Sequence, residues 1–173
     1  MAKENKKKPT IIKKKSKKET KSKQPAYLRK IEIKYRKLKV KAGSPIGKPI
    51  KGAKTVVDLF SFMQNEAKEK FVTISLDAKL KINCFEVVAI GSLNSIYVRP
   101  FESLRASIAL NAHGVIVVHN HPSGDPTPRK EDKTFTKKLK KLTELGGMKL
   151  HDHIIIGDEK YYSFSEERLL DKL

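Results

Sequence analysis

Apolar and charged residues alternate along residues 28–40 (LRKIEIKYRKLKV), and this alternation predicts a β-strand with one face in water. Residues 71–77 (FVTISLD) and 80–91 are predicted as two further strands that are joined by a turn. The stretch 114–121 (GVIVVHNH) is almost continuously apolar, as expected for a central strand that is covered on both faces. Short strands are also predicted at 95–98, 149–157 and 161–164.

Two longer segments have the spacing of apolar residues that is typical of helices. The first is 55–67, for which Thr55 is the expected N-cap. The second is 128–147, which Thr127 would cap and which the Gly146–Gly147 pair would end. Helices are also predicted at 101–112 and 165–173.

Helices that alternate with strands of a mixed sheet favour a three-layer α/β domain, which is expected at 55–173. The chain before this domain has a different composition. Residues 1–25 are mostly lysine and small polar residues, and we predict a disordered tail because they cannot bury enough apolar surface. Residues 26–54 are predicted to form a basic strand followed by a Gly- and Pro-rich linker.

The positive charge of the chain is concentrated in this N-terminal extension. The formal net charge is +19, and residues 1–54 contain 21 Lys and Arg residues against 3 Asp and Glu residues. Lysine clusters bind DNA or RNA because they displace counterions from the phosphates, so the extension is a candidate nucleic-acid contact. The alternative is a tail that serves only solubility. The domain that follows is close to neutral.

Cysteine content and hydropathy exclude several classes of protein. The chain has one cysteine, Cys84, so it can form neither an intrachain disulfide nor a Cys-rich zinc site. No apolar run in the sequence approaches the roughly 20 residues of a membrane span. The N-terminus also lacks the apolar core of a secretory signal. We therefore expect a soluble, cytoplasmic protein without membrane contact.

The stretch VVHNHPSGDPTPRKED (117–132) contains the candidate chemistry. His119 and His121 are two residues apart at the end of a predicted strand, so both imidazoles would lie on one face. Asp132 falls in the first turn of the next predicted helix, from which its carboxylate can point back at them. Two histidines, one aspartate and a position for water form the ligand set of a catalytic zinc site. The alternative is that the histidines are ordinary surface or core residues and that Asp132 only interacts with the helix dipole.

The H-x-H-P sequence, the Gly/Pro-rich loop and an aspartate eleven residues after the second histidine resemble the JAMM motif of JAB/MPN metalloproteases. The longer strings VVHNHPSGDPTP and HDHIIIGDEKYYSF are similar to the RadC family in particular, and the similarity covers about residues 55–165. The resemblance implies a three-layer α-β-α JAB/MPN fold, which is similar to that of cytidine deaminases. It also implies that His119, His121 and Asp132 bind one zinc ion, although the same ligands suit other divalent ions.

The resemblance implies further site residues. JAMM enzymes carry a glutamate that opens a strand upstream of the histidines, and EKFVTISLD fits that pattern with Glu69. In this role Glu69 would take a proton from the water that zinc activates and pass it to the leaving amine. Glu66 and Glu86 are the nearest alternatives. Asp152 and His153, in the second string, are expected to support the metal ligands through hydrogen bonds.

The sequence departs from the JAMM motif at one position. JAMM enzymes have a serine three residues before the aspartate, where it donates a hydrogen bond to the developing oxyanion, and this chain has Arg129. A guanidinium can also stabilise an oxyanion, but from a longer reach and another direction. Ser123, in the loop between the histidines and the helix, is a candidate substitute.

Three functions are compatible with these features. The first is a zinc-dependent hydrolase of peptide or isopeptide bonds, whose substrate the sequence does not identify. The second is a DNA-associated, repair-related zinc protein that binds or cuts nucleic acid. The third is a non-catalytic zinc module, which the replacement of the motif serine by Arg129 favours. The sequence does not indicate an oligomeric state.

Overall fold

The computed structural model describes Leu28, Lys39 and residues 46–91 and 98–173. The predicted disordered tail at 1–25 lies outside the described residues, as do most of the predicted strands at 28–40 and 95–98. Every candidate residue of the predicted metal site lies within the part that the structure describes.

Five strands form one mixed sheet. They are Lys70–Leu76 (β1), Ile82–Ile90 (β2), Gly114–Asn120 (β3), Lys149–Ile156 (β4) and Tyr161–Ser163 (β5). Their order in the sheet is β2-β1-β3-β4-β5. Among these strands, β3 and β4 run parallel and each of the other neighbouring pairs is antiparallel. β3 is the central strand, as its apolar run predicts, and all seven of its residues are buried.

Helices cover both faces of this sheet. The α-helices are Ala53–Leu59 (α1), Pro100–Ser103 (α2), Arg105–Ala109 (α3) and Lys130–Leu145 (α4). On one face Val56 of α1 shares a core with Ile74 of β1, and on the other Leu139 of α4 shares a core with Val117 of β3. The predicted α/β fold with a mixed sheet between helices is therefore confirmed. None of the described helices combines the length and the apolar composition needed to cross a membrane.

The bounds of α1 differ from the predicted helix at 55–67. The helix begins at Ala53, so Thr55 lies inside it and is not its N-cap. After Leu59 the chain continues as a 3-10 turn over Ser61–Asn65 instead of an α-helix. The Ser61 hydroxyl donates a hydrogen bond to the Asp58 carbonyl (3.2 Å) and so occupies an acceptor that a further α-helical turn would use.

The predicted helix at 101–112 consists of two shorter helices, α2 and α3. They meet at Leu104, whose side chain is buried in the same core as Leu139.

The predicted C-terminal helix at 165–173 is wrong. Residues 164–168 form a turn, and the only helical conformation in the segment is a 3-10 turn at Leu170–Lys172. Arg168 has a φ of +52°, a left-handed conformation that cannot continue a right-handed helix. The Ser165 N–H also donates a hydrogen bond to the Asp152 carboxylate of β4 (2.9 Å), which fixes the turn to the sheet.

The N-terminus of α4 faces the end of β3. Helix α4 begins at Lys130, two residues later than predicted, and Arg129 instead of Thr127 precedes it. The N–H and hydroxyl of Thr127 instead donate hydrogen bonds to the Asp125 carboxylate (3.0 and 2.7 Å). The helix ends as predicted before Gly147, whose φ of +70° favours glycine.

Candidate metal centre

His119 and His121 present their imidazoles to the same side of the sheet, as their spacing predicts. His119 is part of β3, and the ladder continues past the strand because the His121 N–H donates to the Ile156 carbonyl (2.9 Å). Both side chains are buried, and their Nε2 atoms lie 3.0 Å apart. Phe71 of β1 stacks on the His119 ring, with centroids 5.9 Å apart.

Asn120 lies between the two histidines and holds the segment that contains Glu69. Its Oδ1 accepts a hydrogen bond from the Lys70 N–H (2.7 Å), and its Nδ2 donates one to the Lys68 carbonyl (3.2 Å). These bonds engage the peptide groups on both sides of Glu69. The residue between the histidines therefore fixes the backbone of Glu69 to β3.

Asp132 reaches the histidines from the first turn of α4. Its Oδ1 lies 3.4 Å from His119 Nε2, and its Oδ2 lies 3.6 Å from His121 Nε2. The Arg129 N–H donates a hydrogen bond to Oδ2 (2.7 Å) and fixes the carboxylate. Burial alone would raise the pKa of Asp132, but its interactions with the two imidazoles and with this N–H lower that pKa well below its usual range. The position therefore favours an ionised carboxylate that faces a cation.

Glu69 precedes β1 and reaches the same pair of histidines. Its Oε1 lies 4.0 Å from His119 Nε2, and the ligand atoms of Glu69, His119 and His121 all lie within 4.8 Å of one another. The residue is 3% exposed, and its Oε2 has no hydrogen-bond partner among the described residues. A buried carboxylate in this state is destabilising unless a cation faces it, and Arg129 Nη1 lies 3.9 Å from Oε2, beyond hydrogen-bond distance.

The two alternative glutamates are engaged elsewhere. Glu66 forms an ion pair with Lys70, and Glu86 forms one with Arg105. Of the three candidates, Glu69 is the one that the structure brings to the histidines.

A chain of hydrogen bonds determines which nitrogen of His119 carries the proton. The Thr136 hydroxyl donates to the Asp132 carbonyl (2.6 Å), so its oxygen accepts the hydrogen bond from His153 Nδ1 (2.6 Å). Burial and the neighbouring His119 lower the pKa of His153 well below its ordinary value, so His153 is neutral and its Nε2 only accepts. His119 Nδ1 donates to that Nε2 (2.8 Å), which leaves a lone pair on His119 Nε2.

His121 has the same protonation pattern. Its Nδ1 lies 2.8 Å from the Asp125 carbonyl, and because a carbonyl only accepts, Nδ1 carries a proton, which in the neutral imidazole leaves the lone pair on Nε2. The loop that carries Asp125 packs closely on Gly157, where an added Cβ would collide with the Gly124 carbonyl. Glycine at position 157 therefore allows the loop to approach β4 and to place the acceptor for His121.

These groups fit a divalent metal ion by donor type and by spacing. Two nitrogen lone pairs at 3.0 Å repel each other unless a cation lies between them, and two carboxylates face the same space. In a tetrahedral zinc site with bonds of about 2.0–2.1 Å, neighbouring ligand atoms lie about 3.4 Å apart. The two Nε2 atoms are 3.0 Å apart, and each has one Asp132 oxygen near the tetrahedral separation, Oδ1 at 3.4 Å from His119 and Oδ2 at 3.6 Å from His121.

The two predicted oxyanion residues occupy different positions. Arg129 lines the cleft above the histidines, and its Nη1 lies 3.9 Å from Glu69 Oε2. Ser123 is exposed in the loop and is not among the residues that line this cleft. Among the described residues, Arg129 is therefore the one of the pair that the structure brings to the site.

His153 and Asp152, the two residues expected to support the ligands, lie on opposite faces of the sheet. His153 contacts His119, as described above. Asp152 instead faces the other side of the sheet, where its carboxylate accepts hydrogen bonds from the Ser163 hydroxyl (2.6 Å) and the Ser165 N–H (2.9 Å). The structure gives Asp152 contacts with the turn after β5 and no contact with the histidine pair.

The sequence analysis did not identify Thr136 or Phe71. Thr136 lies four residues after Asp132, so it is one turn along the same face of α4, and that spacing was the available signal. Phe71 lies two residues after Glu69, so alternation along β1 places both side chains on the same face.

The cluster lies in a cleft of about 670 Å³. Its apolar lining comprises Phe71, Val98, Pro100 and Phe135. Charged side chains outside the cluster complete the lining, namely Arg99, Arg129, Lys130, Glu131 and Lys138. A cleft of this volume is typical of sites that bind a small molecule or a few residues of a peptide.

Comparison with known proteins agrees with this geometry. A family model described as the RadC-like JAB domain matches residues 50–169, which include all the residues of the cluster. Similar proteins include a UPF0758 protein of Aquifex aeolicus, 38% identical over 142 residues, and one of Carboxydothermus hydrogenoformans, 41% identical over 116 residues. A UPF0758 protein of Methanosarcina mazei is 46% identical over 109 residues.

The three matches cover 77%, 65% and 63% of this chain. They cover 62%, 51% and 48% of the relatives, so the chain spans about half to three-fifths of the length of these proteins. The family match extends over most of the described domain, and the chain belongs to the RadC-like JAB domain family.

Proposed function

We propose that this chain is a zinc-dependent hydrolase of peptide or isopeptide bonds. The proposal depends on one observation: two Nε2 lone pairs 3.0 Å apart face both the Asp132 carboxylate and the buried Glu69 carboxylate in an open cleft. The resemblance to JAMM metalloproteases and the family match support it.

The distances support a division of roles between Asp132 and Glu69, although the ligand atom of Glu69 also lies within 4.8 Å of those of both histidines. Asp132 lies 3.4 and 3.6 Å from the two Nε2 atoms, close to the separation of about 3.4 Å between neighbouring ligands of a tetrahedral zinc ion. The nearest Glu69 oxygen is farther away, at 4.0 Å from His119 Nε2. We therefore assign His119, His121 and Asp132 as the ligands and Glu69 as the acid–base residue.

Zinc suits this donor set, although other divalent ions bind imidazole and carboxylate as well. When bound, zinc would supply a Lewis acid that polarises the scissile carbonyl and lowers the pKa of water towards about 7. The hydrogen bonds that place the protons of His119 and His121 on Nδ1 keep both Nε2 atoms available as ligands.

Glu69 would accept the proton of the attacking water at Oε2 and donate it to the leaving amine. Oε2 is buried, has no hydrogen-bond partner among the described residues and belongs to a residue that lines the cleft. Asn120 fixes the backbone on both sides of Glu69, so the carboxylate is held at a defined distance from the ligands. General acid–base catalysis of this kind contributes about 10²–10⁴ in rate.

Arg129 would stabilise the negative charge that develops on the carbonyl oxygen. It lines the cleft at the N-terminus of α4, and it replaces the serine that has this role in JAMM enzymes. Its Nη1 lies 3.9 Å from Glu69 Oε2, so the cation is within reach of the atoms at which the reaction would occur.

Metal analysis and a peptidase screen on four proteins test the hydrolase function. We expect the wild-type protein to bind one zinc ion and His121→Ala to lose both zinc and activity. Glu69→Gln should keep zinc and lose a factor of about 10²–10⁴ in kcat. Glu66→Gln, a nearby glutamate paired with Lys70, is the matched control and should keep both. A zinc-loaded wild-type protein that cleaves nothing in broad peptide and isopeptide libraries would contradict the hydrolase and favour a non-catalytic zinc module.

The charge distribution supports a second function. We propose that the N-terminal extension binds DNA or RNA, because 21 of the 38 Lys and Arg residues lie in residues 1–54. The affinity should fall steeply with salt, since lysine–phosphate contacts release counterions. Deleting residues 1–45, which precede the first continuously described segment, should abolish the binding and leave zinc content unchanged. Equal binding by the shortened protein would contradict this proposal.

A further inference from the structure

The charges that line the cleft are mostly positive. Apart from Glu69 and Asp132, four lining side chains are cationic, and they are Arg99, Arg129, Lys130 and Lys138. Glu131 is the one acidic side chain among the remaining lining residues. Arg99 forms an ion pair with Glu102, and Arg129 lies 3.9 Å from Glu69, so the positive charge that remains for a ligand rests mainly on Lys130 and Lys138.

Helix α4 contributes a regular part of this positive surface. Lys130, Thr134 and Lys138 follow one another at intervals of four residues, all three are exposed and all three line the cleft. At a rise of 1.5 Å per residue, the two lysines lie about 12 Å apart along the helix. An extended peptide advances about 3.3 Å per residue, so this distance corresponds to about three or four residues of a bound chain.

We propose that the cleft takes acidic peptides whose carboxylates lie about three or four residues apart. This inference rests on the proposed hydrolase function, because it names the class of substrate for the same site. Lys130 and Lys138 pair with substrate carboxylates along α4. The partly exposed apolar residues Val98, Pro100 and Phe135 contact the uncharged parts of the peptide.

The contacts of the cleft favour a peptide over a single-stranded nucleic acid, which has the same sign of charge. Proteins that bind single strands stack the bases on exposed aromatic faces. Here the Phe71 ring is stacked on His119, packs edge-on against Phe135 and is 3% exposed. Its faces are therefore not available to a base.

The reaction needs only water as co-substrate. The C–N bond of the amide breaks, the oxygen of water bonds to the carbonyl carbon, and the products are a carboxylate and an amine. Glu69 carries the proton from the water to the departing nitrogen, so no oxidant or reductant takes part.

Three libraries of quenched fluorescent peptides test the substrate class on the zinc-loaded full chain. The variable positions hold Asp and Glu in the first library, Asn and Gln in the second, and Lys and Arg in the third. We expect the acidic library to have the highest kcat/KM, by roughly tenfold over its amide counterpart. Binding of the same peptides, measured by fluorescence anisotropy with zinc-loaded Glu69→Gln, should follow the same order without requiring turnover.

Two neighbouring lysines of α4 provide a matched pair of variants. Lys138→Glu places a negative charge in the cleft and should lower kcat/KM for the acidic library by roughly five- to tenfold, with little effect on the neutral one. Lys137→Glu makes the same charge change at an exposed residue that is not among those lining the cleft, and it should have little effect.

Equal kcat/KM for the acidic and neutral libraries would overturn the substrate class while leaving the hydrolase intact. An equal loss in Lys137→Glu and Lys138→Glu would also overturn it, because the effect would then come from overall charge. If no library is cleaved but anisotropy still shows acidic peptides bound most tightly, the hydrolase fails and the inferred ligand class stands. Tighter binding of an unstructured oligonucleotide than of any acidic peptide, lost in Lys138→Glu, would reassign the cleft to nucleic acid.

Discussion

His119 Nδ1 donates a hydrogen bond to His153 Nε2 across 2.8 Å, and this bond directs the proton of His119 away from the candidate metal centre. Thr136 sets the direction of this hydrogen bond, because it accepts the proton of His153 Nδ1 and so leaves His153 Nε2 as an acceptor. A metal ligand whose protonation is fixed in this way needs no rearrangement before it binds. Loss of such supporting partners typically lowers metal affinity by about 10–100-fold.

Thr136→Val should therefore weaken zinc binding by about tenfold or more, although Thr136 does not touch the metal site. The valine has nearly the same shape but cannot accept the hydrogen bond of His153. The positions of the protons on His153 and His119 are then no longer fixed. Competition with a fluorescent zinc chelator measures the change. Thr134→Val is the matched control, because Thr134 makes the same type of hydrogen bond to the carbonyl four residues earlier but does not bond His153. Equal affinities for Thr136→Val and the wild type would contradict the prediction.

Removal of the metal should destabilise the folded domain. Without a cation, the lone pairs of His119 and His121 and the carboxylates of Glu69 and Asp132 repel one another in a buried space. At free zinc of 100 times Kd, binding stabilises the folded state by about 2.7 kcal/mol. We expect a chelator to lower Tm by roughly 10 °C, measured by calorimetry. His121→Ala should show no zinc-dependent change in Tm, and an equal shift in that variant would place the stabilising metal elsewhere.

Arg129→Ser should stabilise α4 and raise activity on neutral peptides. Arg129 precedes the helix in an extended conformation, where a serine hydroxyl can cap α4 and contribute about 1 kcal/mol. The hydroxyl would also provide the short oxyanion donor of the motif, and such a donor is worth about 10²–10³ in rate. Urea unfolding and kcat on a neutral substrate measure the two effects.

Arg129→Ala separates the causes of that change, since it removes the guanidinium without adding a hydroxyl. We expect it to be less active than Arg129→Ser. We also expect Arg129→Ala to be less active than the wild type, because it lacks both donors; equal activity of the alanine variant and the wild type would show that the guanidinium does not stabilise the oxyanion.

Asp152 should make the stability of the protein depend on pH. Burial raises the pKa of Asp152 to about 6, although hydrogen bonds from Ser163, Ser165 and the His153 N–H oppose the shift. In the unfolded chain the pKa is about 3.9. The folded state thus holds a proton between these values that the unfolded state has lost. The contribution of Asp152 is therefore fully present below pH ~4 and is lost as the pH rises through 6.

Asp152→Asn removes this titration and keeps a similar shape. We expect the free energy of unfolding of the wild type to fall by about 3 kcal/mol relative to this variant between pH 4 and pH 7. Urea unfolding of both proteins at several pH values measures the difference between their free energies of unfolding. The metal ligands titrate in both proteins, so their contribution cancels in this difference. A difference that stays constant with pH would show that Asp152 is ionised throughout this range.

The proximity of His119, His121 and Asp132 was predictable because their placement follows from local rules. Alternation along a strand puts His119 and His121 on one face, and the preference of acidic residues for the first turn of a helix brings Asp132 to them. Glu69 required the family resemblance, because a lone glutamate before a strand has no local signal of chemistry. The fold class followed from the order of helices and strands.

Contacts between distant segments explain what the sequence could not predict. Asp152 and His153 are neighbours in β4, so alternation along the strand places them on opposite faces. The pairing of β4 with β3 decides that His153 is the one on the side of the metal centre. The predicted C-terminal helix failed for a similar reason, because its first residues bond to Asp152 of β4.

Asn120 gives the site a mechanical property. Since one His-Asn-His sequence carries two metal ligands and also clamps the peptide groups beside Glu69, sliding of β1 along β3 would have to break both bonds of the Asn120 amide. Thermal motion of these strands therefore moves His119, His121 and Glu69 as one unit. Asp132 approaches this unit from α4, where the Arg129 N–H holds its carboxylate, so the alignment of the whole site depends on how firmly the start of α4 packs against the end of β3.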